Sequence, residues 1–456
     1  MTAPAQDRWG ERLPRRLGLA SAVAVLVGIT IGSGIFRTPA VVAERVGATE
    51  LVVAGWVLGG VLALAGALTY AELAAIFPRT GGIYVYIREA FGRGPAFLFG
   101  WAELLVIRPA ALGAIGIVAA EYFWRLLGVD GAAPVALLPM TLAQTTAAGF
   151  IVIVGVVNYR GIHLAALVQN VSTVLKVAAL LGLVLLGLVL SPTHELTRSV
   201  TPPAMALSPL AGFGLALVSI LWAYDGWADL SFVAGEVRDP QRNMPLALFL
   251  GAVAIIVLYL SLNAVYLKLI PVARMPGSPL IAADAAQVVM GRAGVVFVSA
   301  AVMVSAFGSL NGSLLVGSRI FYAMAEDRLF FRKLAEIHPR FSTPYASIVL
   351  ATLLGIFYVS LRQFAQLADQ FIIGIWPFYA LGVAAVFVLR RKRPDLPRPY
   401  RAWGYPVVPV LFLLAALYLL GNYLISEPVL FFANVGGVLV TGIPVYLWWA
   451  RRAAHR

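Results

Sequence analysis

The sequence predicts an all-α integral membrane protein with twelve transmembrane helices, and three observations carry that expectation. Of its 456 residues, 61% are apolar and 12% charged, against about 45–50% and about 25% in soluble domains. Apolar runs of roughly 20 residues, the length a helix needs to cross a bilayer, recur along the whole chain. The mean hydropathy is +0.88, a value for a chain dissolved in lipid. Sharing 456 residues among twelve spans leaves 38 for each, so an extramembrane catalytic or nucleic-acid-binding domain does not fit.

Residues 1–16 form a cytoplasmic tail with Arg8, Arg12, Arg15 and Arg16. The first apolar segment, 17–44, then runs on without a small-residue cleavage site, so it reads as a retained helix and not as a signal peptide. Segments 49–77, 94–127, 134–157 and 163–190 follow, closing a first block of five helices over 17–190. Segments 207–236, 245–270, 293–324, 345–361 and 369–389 make a second block of five over 207–389. A basic cytoplasmic loop, 390–404, leads to helices eleven and twelve at 405–425 and 428–450 within 405–450, and 451–456 is a cytoplasmic tail. The ninth segment is short and the tenth starts polar.

Charge placement orients the bundle. Lys and Arg number 34 against 21 Asp and Glu, a net charge of +13. With the N-terminus inside, 23 basic residues fall on cytoplasmic loops and ends and 8 on the opposite face, the asymmetry expected of both termini lying in the cytoplasm. Anionic headgroups account for the basic balance, and no nucleic acid is needed as a partner. The chain has no Cys and 4 His, which excludes disulfides and thiolate sites and leaves little scope for a metal cluster. No cofactor is expected.

Two spans are interrupted. The first reads Gly28-Ile29-Thr30-Ile31-Gly32-Ser33-Gly34-Ile35-Phe36 and the sixth Leu221-Trp222-Ala223-Tyr224-Asp225-Gly226-Trp227. Glycine at mid-membrane weakens a helix and permits close backbone approach. The breaks are separated by about 190 residues, as are the starts of spans one and six, so each opens a five-helix block; repeats of odd number sit inverted in the membrane. An unwound segment exposes amide N–H groups at the start of one half-helix and carbonyls at the end of the other. The N–H groups of Ser33, Gly34 and Ile35, with Gly32 in the same break, are suited to a carboxylate; the carbonyls of Thr30, Trp222, Ala223 and Asp225 are suited to an ammonium. A zwitterionic α-amino acid fits both. The same glycines can simply let two helices pack closely, but two breaks in register favour a binding site.

Lys176 lies 13 residues into span five, about 20 Å deep. An ammonium there is a functional flag. It can replace a bound Na⁺ and tie span five to the unwound part of span one, or its proton can cycle with transport. Arg108-Pro109 in span three reads as structural, the arginine satisfying a carbonyl freed by proline. Asp225 reads first as an N-cap of the second half of helix six, with substrate or proton contact the other option. Trp222 stands one turn before the break, where its ring can cover a substrate or simply pack. Glu236, near Arg238 and Asp239, reads as a surface ion-pair group.

These residues resemble the amino acid–polyamine–organocation (APC) transporter superfamily and, within it, the L-type amino acid transporter branch. The resemblance covers most of the chain. Beyond Gly32-Ser33-Gly34-Ile35-Phe36 it includes Tyr70-Ala71-Glu72-Leu73, Phe77-Pro78-Arg79-Thr80-Gly81-Gly82, Val106-Ile107-Arg108-Pro109, and Tyr224-Asp225-Gly226-Trp227 running to Gly235-Glu236-Val237-Arg238-Asp239-Pro240. Arg319-Ile320-Phe321-Tyr322-Ala323-Met324-Ala325 and Arg391-Lys392-Arg393-Pro394-Asp395-Leu396-Pro397-Arg398-Pro399-Tyr400 complete it. The resemblance implies a five-plus-five inverted repeat of the LeuT type, unwound helices 1 and 6, and alternating-access transport of α-amino acids without Na⁺, often by exchange. It implies substrate contact at Thr30, Ser33, Gly34, Trp222 and Asp225, and a coupling role for Lys176 at the place where Na⁺-driven relatives bind an ion. Animal members carry a cysteine that links a glycoprotein subunit; this chain has none and is expected to work without one. The family's usual Phe and Gly are replaced by Trp222 and Asp225, which changes the pocket.

The expected function is a sodium-independent exchanger of neutral L-amino acids, such as Ala, Ser and Thr or larger ones, in the plasma (inner) membrane. A proton-coupled uptake carrier and a non-transporting sensor on the same fold are the alternatives. A membrane enzyme is disfavoured because no convergent catalytic groups are found: His163, His194 and His338 lie at helix ends or loops, and His455 is the next-to-last residue.

Overall fold

The computed structural model describes residues 15, 17–136, 139–190, 209–278 and 280–454, with no statement on side chains at 162–166, 168, 169, 190, 209 or 450–454. Most of the N-terminal tail, His194, Arg198, Arg456 and the side chains of His163, Arg451 and Arg452 therefore lie outside the described residues.

The fold is all-α. Among the described residues ten helices are long and apolar enough to cross a bilayer; Leu19–Thr30 and Tyr345–Leu361 are apolar but shorter. In order the helices are α1 (Leu19–Thr30) and α2 (Thr38–Val46), the halves of the first span, then α3 (Thr49–Ile76) and the interfacial α4 (Ile83–Phe91). The third span is α5 (Arg93–Ala102), a π turn at Glu103–Ile107 and α6 (Arg108–Leu126). It is followed by α7 (Leu142–Arg160), α8 (Ile162–Leu190), α9 (Pro209–Tyr224) and α10 (Pro240–Leu269). Then come α11 (Ile281–Glu326), α12 (Tyr345–Leu361), α13 (Phe364–Lys392) and α14 (Val407–Ser426), and the chain finishes with α15 (Pro428–Phe431) and α16 (Gly437–Ala454).

Boundaries move where local chemistry outweighs hydropathy. The fourth span starts at Leu142 and not near 134, because Thr141 and Gln144 form a reciprocal capping box that fixes the N-terminus there. The eighth extends back to Ile281 through a bend at Gly291, whose φ of 60° is open to glycine.

The bundle is inside out relative to a soluble protein. Val189, Ile425 and Val440 are exposed, as lipid-facing residues should be, whereas Glu103, Arg108, Lys176, Asp229 and Asn311 are buried. Since lipid gives apolar helices little reason to associate, close packing and polar contacts must hold the spans together. Accordingly Gly55 and Gly59 on α3 receive Ile220 of α9, and Asn158 of α7 donates to Asn311 of α11 at 2.9 Å. The most extensive helix pairs are α6 with α11 and α3 with α10.

Candidate functional site

The first break begins where α1 stops at Thr30. Ile31 still bonds back to Val27, but its ψ of 77° leaves the helix, and Gly32 N–H turns to the Thr30 carbonyl at 2.7 Å. A 3₁₀ turn at Gly34–Phe36 follows, and Pro39 opens α2. As at any helical start, the N–H groups opening this turn have no carbonyl within it to bond.

The second break begins at the end of α9. Gly226 has φ 111°, open to glycine alone in practice, and the chain resumes as a 3₁₀ helix over Asp229–Glu236. The breaks lie against each other. A Cβ on Gly226 would sit 2.7 Å from Thr30 Oγ1, and one on Gly34 would collide with the backbone of Ala223. Glycine is therefore required by closeness at Gly34 and by both closeness and φ at Gly226.

Between the breaks is a small cavity of about 40 Å³. Thr30, Gly32, Ser33 and Gly34 line one side, Trp222 and Asp225 another; Ile35 and Ala223 do not reach its surface. Thr30 Oγ1, Ser33 Oγ and Trp222 Nε1 are buried polar atoms without a hydrogen-bond partner, all on this lining. Unmet polar groups carry a cost in a dry interior and suit a polar guest. Phe371 supplies an apolar wall and meets Trp222 edge-on at 5.1 Å.

The rest of the lining is mixed: the charged Arg108 and Asp229 and the Ser313 hydroxyl join Asp225, beside the apolar Ile29, Ala111 and Ile115. Sequence reasoning missed Glu103, Asp229, Ser313 and Phe371. Arg108 donates to Glu103 at 3.2 Å and to Ser313 Oγ at 2.9 Å. Residues five apart do not share a face of an α-helix, but the π turn at Glu103–Ile107 brings this pair together. A Glu five residues before Arg-Pro was the available signal.

Four expectations about individual groups are corrected. The carbonyl of Thr30 is not open to an ammonium: Tyr259 Oη at 2.8 Å and Gly32 N–H already use its two lone pairs, so Thr30 presents its hydroxyl. Arg108 does not satisfy the carbonyl four residues before Pro109; the Tyr358 hydroxyl donates to Leu105 O instead, leaving the guanidinium for Glu103 and the cavity. Asp225 is not an N-cap. Ala228 takes that position without a side-chain bond, and Asp225 Oδ1 accepts from Tyr379 Oη at 2.6 Å. Glu236 is buried, not at the surface, and faces Arg319 at 3.7 Å because the 3₁₀ segment turns it into the bundle.

Lys176 is 1% exposed and outside the cavity lining. Its ammonium donates to Gly28 O at 2.7 Å, Ile31 O at 2.8 Å, Ser305 O at 3.1 Å and Ser309 Oγ at 2.9 Å. It thus binds the carbonyl end of α1 to α8 and α11. Ser309 in turn donates to Gly28 O and Ile31 O at 3.1 and 2.9 Å.

Different polar contacts close the two faces. Toward one, Trp222 packs on Phe364, Arg37 lies 4.6 Å over that ring, and Arg37 pairs with Glu121. Arg37 and Glu121 border a wide basin of about 970 Å³ that also holds Arg125 and Asp284. Toward the other, Leu17 N–H bonds Glu236 O at 2.9 Å, Arg88 binds Asp327 at 2.7 and 2.8 Å, and Arg390 binds Glu72 at 2.6 Å. Burial pushes the interfacial Tyr84 hydroxyl well above its ordinary range and Asp327 adds to the rise, so Tyr84 stays a donor to that carboxylate at 2.7 Å.

A family model described as amino acid permease matches residues 17–450. The chain is 29% identical over 445 residues to the serine/threonine exchanger SteT of Bacillus subtilis (strain 168), covering 97% of this chain and 98% of that protein. It is 31% identical over 417 residues to the b(0,+)-type amino acid transporter 1 of Homo sapiens, covering 91% and 84%. To the large neutral amino acids transporter small subunit 2 of Mus musculus it is 31% identical over 454 residues, covering 97% and 83%.

Proposed function

This chain belongs to the amino acid permease family of the APC superfamily, a family of membrane transporters and not of enzymes, and on that premise we propose that it exchanges neutral L-amino acids across the plasma membrane without sodium. The observation that carries the reading is the cavity between two facing helix breaks, where Thr30 Oγ1, Ser33 Oγ and Trp222 Nε1 are unpartnered. The substrate carboxylate meets the N–H groups of Ser33 and Gly34 and the Ser33 hydroxyl; the ammonium meets the Trp222 carbonyl and Asp225. Trp222 and Phe371 bound the side chain and favour small ones. The serine/threonine and large-neutral relatives are in keeping with this class.

Lys176 sets an amine nitrogen among the carbonyls that end α1, where as an ammonium it does the work of a metal cation. Sodium is then unnecessary. We assign the two inverted repeats to 17–190 and 207–389, with both termini cytoplasmic, and the loss of the linking cysteine argues for action without a disulfide-bound glycoprotein. Alternating access follows if the Arg37–Glu121 and Arg88–Asp327 sides open in turn.

Purified protein in liposomes tests this. Uptake of labelled Ala, Ser or Thr should require internal amino acid and be indifferent to Na⁺. Uptake into empty vesicles driven by a pH gradient would overturn exchange in favour of proton coupling. The two carboxylates Asp225 and Asp229 beside a single cation, Arg108, are the observation that supports this second reading.

A further inference from the structure

A second concavity lies on the lipid-facing surface, apart from the amino acid cavity. It measures about 810 Å³ and is walled by α3, α10 and the segment that joins α13 to α14. Arg242, Pro245, Leu246 and Phe249 line it from α10; their spacing of three, four and seven residues puts them on one helix face. Leu64 and Leu68, one turn apart on α3, form the facing wall. Tyr400 and Trp403 close it from the joining segment, Trp403 with 72% of its surface exposed.

Polarity is graded along this groove. Arg242 is near the start of α10, exposed, and among the described residues its side chain has no ion pair. Phe249 lies seven residues further, about 10 Å deeper along the helix axis. One end is therefore cationic and the other apolar, with an indole and a phenol at the level where such rings favour the membrane interface. The joining segment adds charge of one sign: 390–404 holds Arg390, Arg391, Lys392, Arg393, Arg398 and Arg401 against Asp395. It is anchored to α3 by Ala402 N–H and Arg390, which both bond Glu72, at 2.7 and 2.6 Å. The groove wall is thus built, not a chance gap.

We propose that this groove is a binding site for an anionic phospholipid, its phosphate on Arg242 and Gln241 and an acyl chain along Leu64, Leu68 and Phe249. A zwitterionic headgroup would set its own cation beside an unneutralised guanidinium. An anionic one is attracted by it and by the basic segment above, an advantage of about fivefold per nearby basic residue.

The full chain, reconstituted into vesicles of brominated phosphatidylglycerol or brominated phosphatidylcholine, gives a direct test through tryptophan quenching. The phosphatidylglycerol should quench more strongly, Trp403→Phe should remove the difference, and Arg242→Gln should reduce the lipid preference about fivefold while amino acid exchange persists. Native mass spectrometry of the wild-type protein should retain phosphatidylglycerol over phosphatidylcholine, which keeps the test open should a variant fail to fold. Equal quenching by the two lipids would overturn the proposal. So would competition by soluble glycerol phosphate, which would mark a free-anion site, or a second copy of the chain shielding Trp403.

Discussion

Lys176 and Arg108 are both buried in the membrane interior, and their anchors on α11, Ser309 and Ser313, are one turn apart. Yet Lys176 is surrounded by neutral oxygens, three carbonyls and a hydroxyl, whereas Arg108 has Glu103 as a direct partner and shares the cavity lining with Asp225 and Asp229. Neutral oxygens leave an ammonium's charge uncancelled, which is the basis of the cation role proposed for Lys176 at the carbonyl end of α1. Carboxylates balance Arg108 and make its surroundings responsive to a zwitterion. One basic side chain holds the broken helix and the other lines the cavity.

Removing the first should have the largest effect. Lys176→Ala leaves Gly28 O and Ile31 O without their charged donor, and charge-assisted bonds of this kind contribute about 1.5–3 kcal/mol each. Exchange should fall at least roughly a hundredfold, with protein still recovered from the membrane. Lys176→Arg should not rescue it, because a planar fork cannot replace a point charge among four converging oxygens. Wild-type flux in Lys176→Ala would remove the distinction between the two cations.

Glu103→Gln comes next. The amide keeps an acceptor for Arg108 but removes the buried countercharge, a loss of about 2 kcal/mol for a hydrogen bond to a charged group. The concentration of amino acid for half-maximal exchange should rise roughly thirtyfold at that cost. If maximal rate falls while apparent affinity is unchanged, Arg108 belongs with Lys176 as a structural cation. Gly34→Ala probes the surface both cations support: the added methyl meets the Ala223 backbone, and overpacking costs about 1–3 kcal/mol. About a tenfold loss of exchange is expected, and thermal unfolding of the detergent-solubilised variant should show a lowered midpoint.

Half-helix breaks were legible because glycine in an apolar run contradicts its surroundings. Thr30, Ser33, Trp222 and Asp225 are adjacent in sequence to those breaks, and the structure puts them on one cavity. Lys176 was legible for the same reason, a charge where lipid forbids it. Partners were less so. Nothing local links Lys176 to Ser309 or Asp225 to Tyr379, since helix packing alone makes those contacts. The π turn that joins Glu103 to Arg108 has no periodic signature, and neither has the 3₁₀ segment that opens at the buried Asp229.

The smallest effect sharpens the comparison most, since it leaves both cations in place. Tyr379 donates to Asp225 from α13, at 2.6 Å. In Tyr379→Phe that carboxylate loses its one neutral donor and must draw on Arg108 or on the substrate ammonium. A stronger contact with the ammonium would offset part of the lost bond, so apparent affinity should change by about threefold or less, although the bond itself is worth more than that. The double variant Tyr379→Phe with Glu103→Gln should then be less than additive, because each change lets Arg108 redistribute among the same carboxylates. Strict additivity in exchange assays would mean that Arg108 and Asp225 do not share one electrostatic site, and that the charged wall of the cavity is two separate structural pairs.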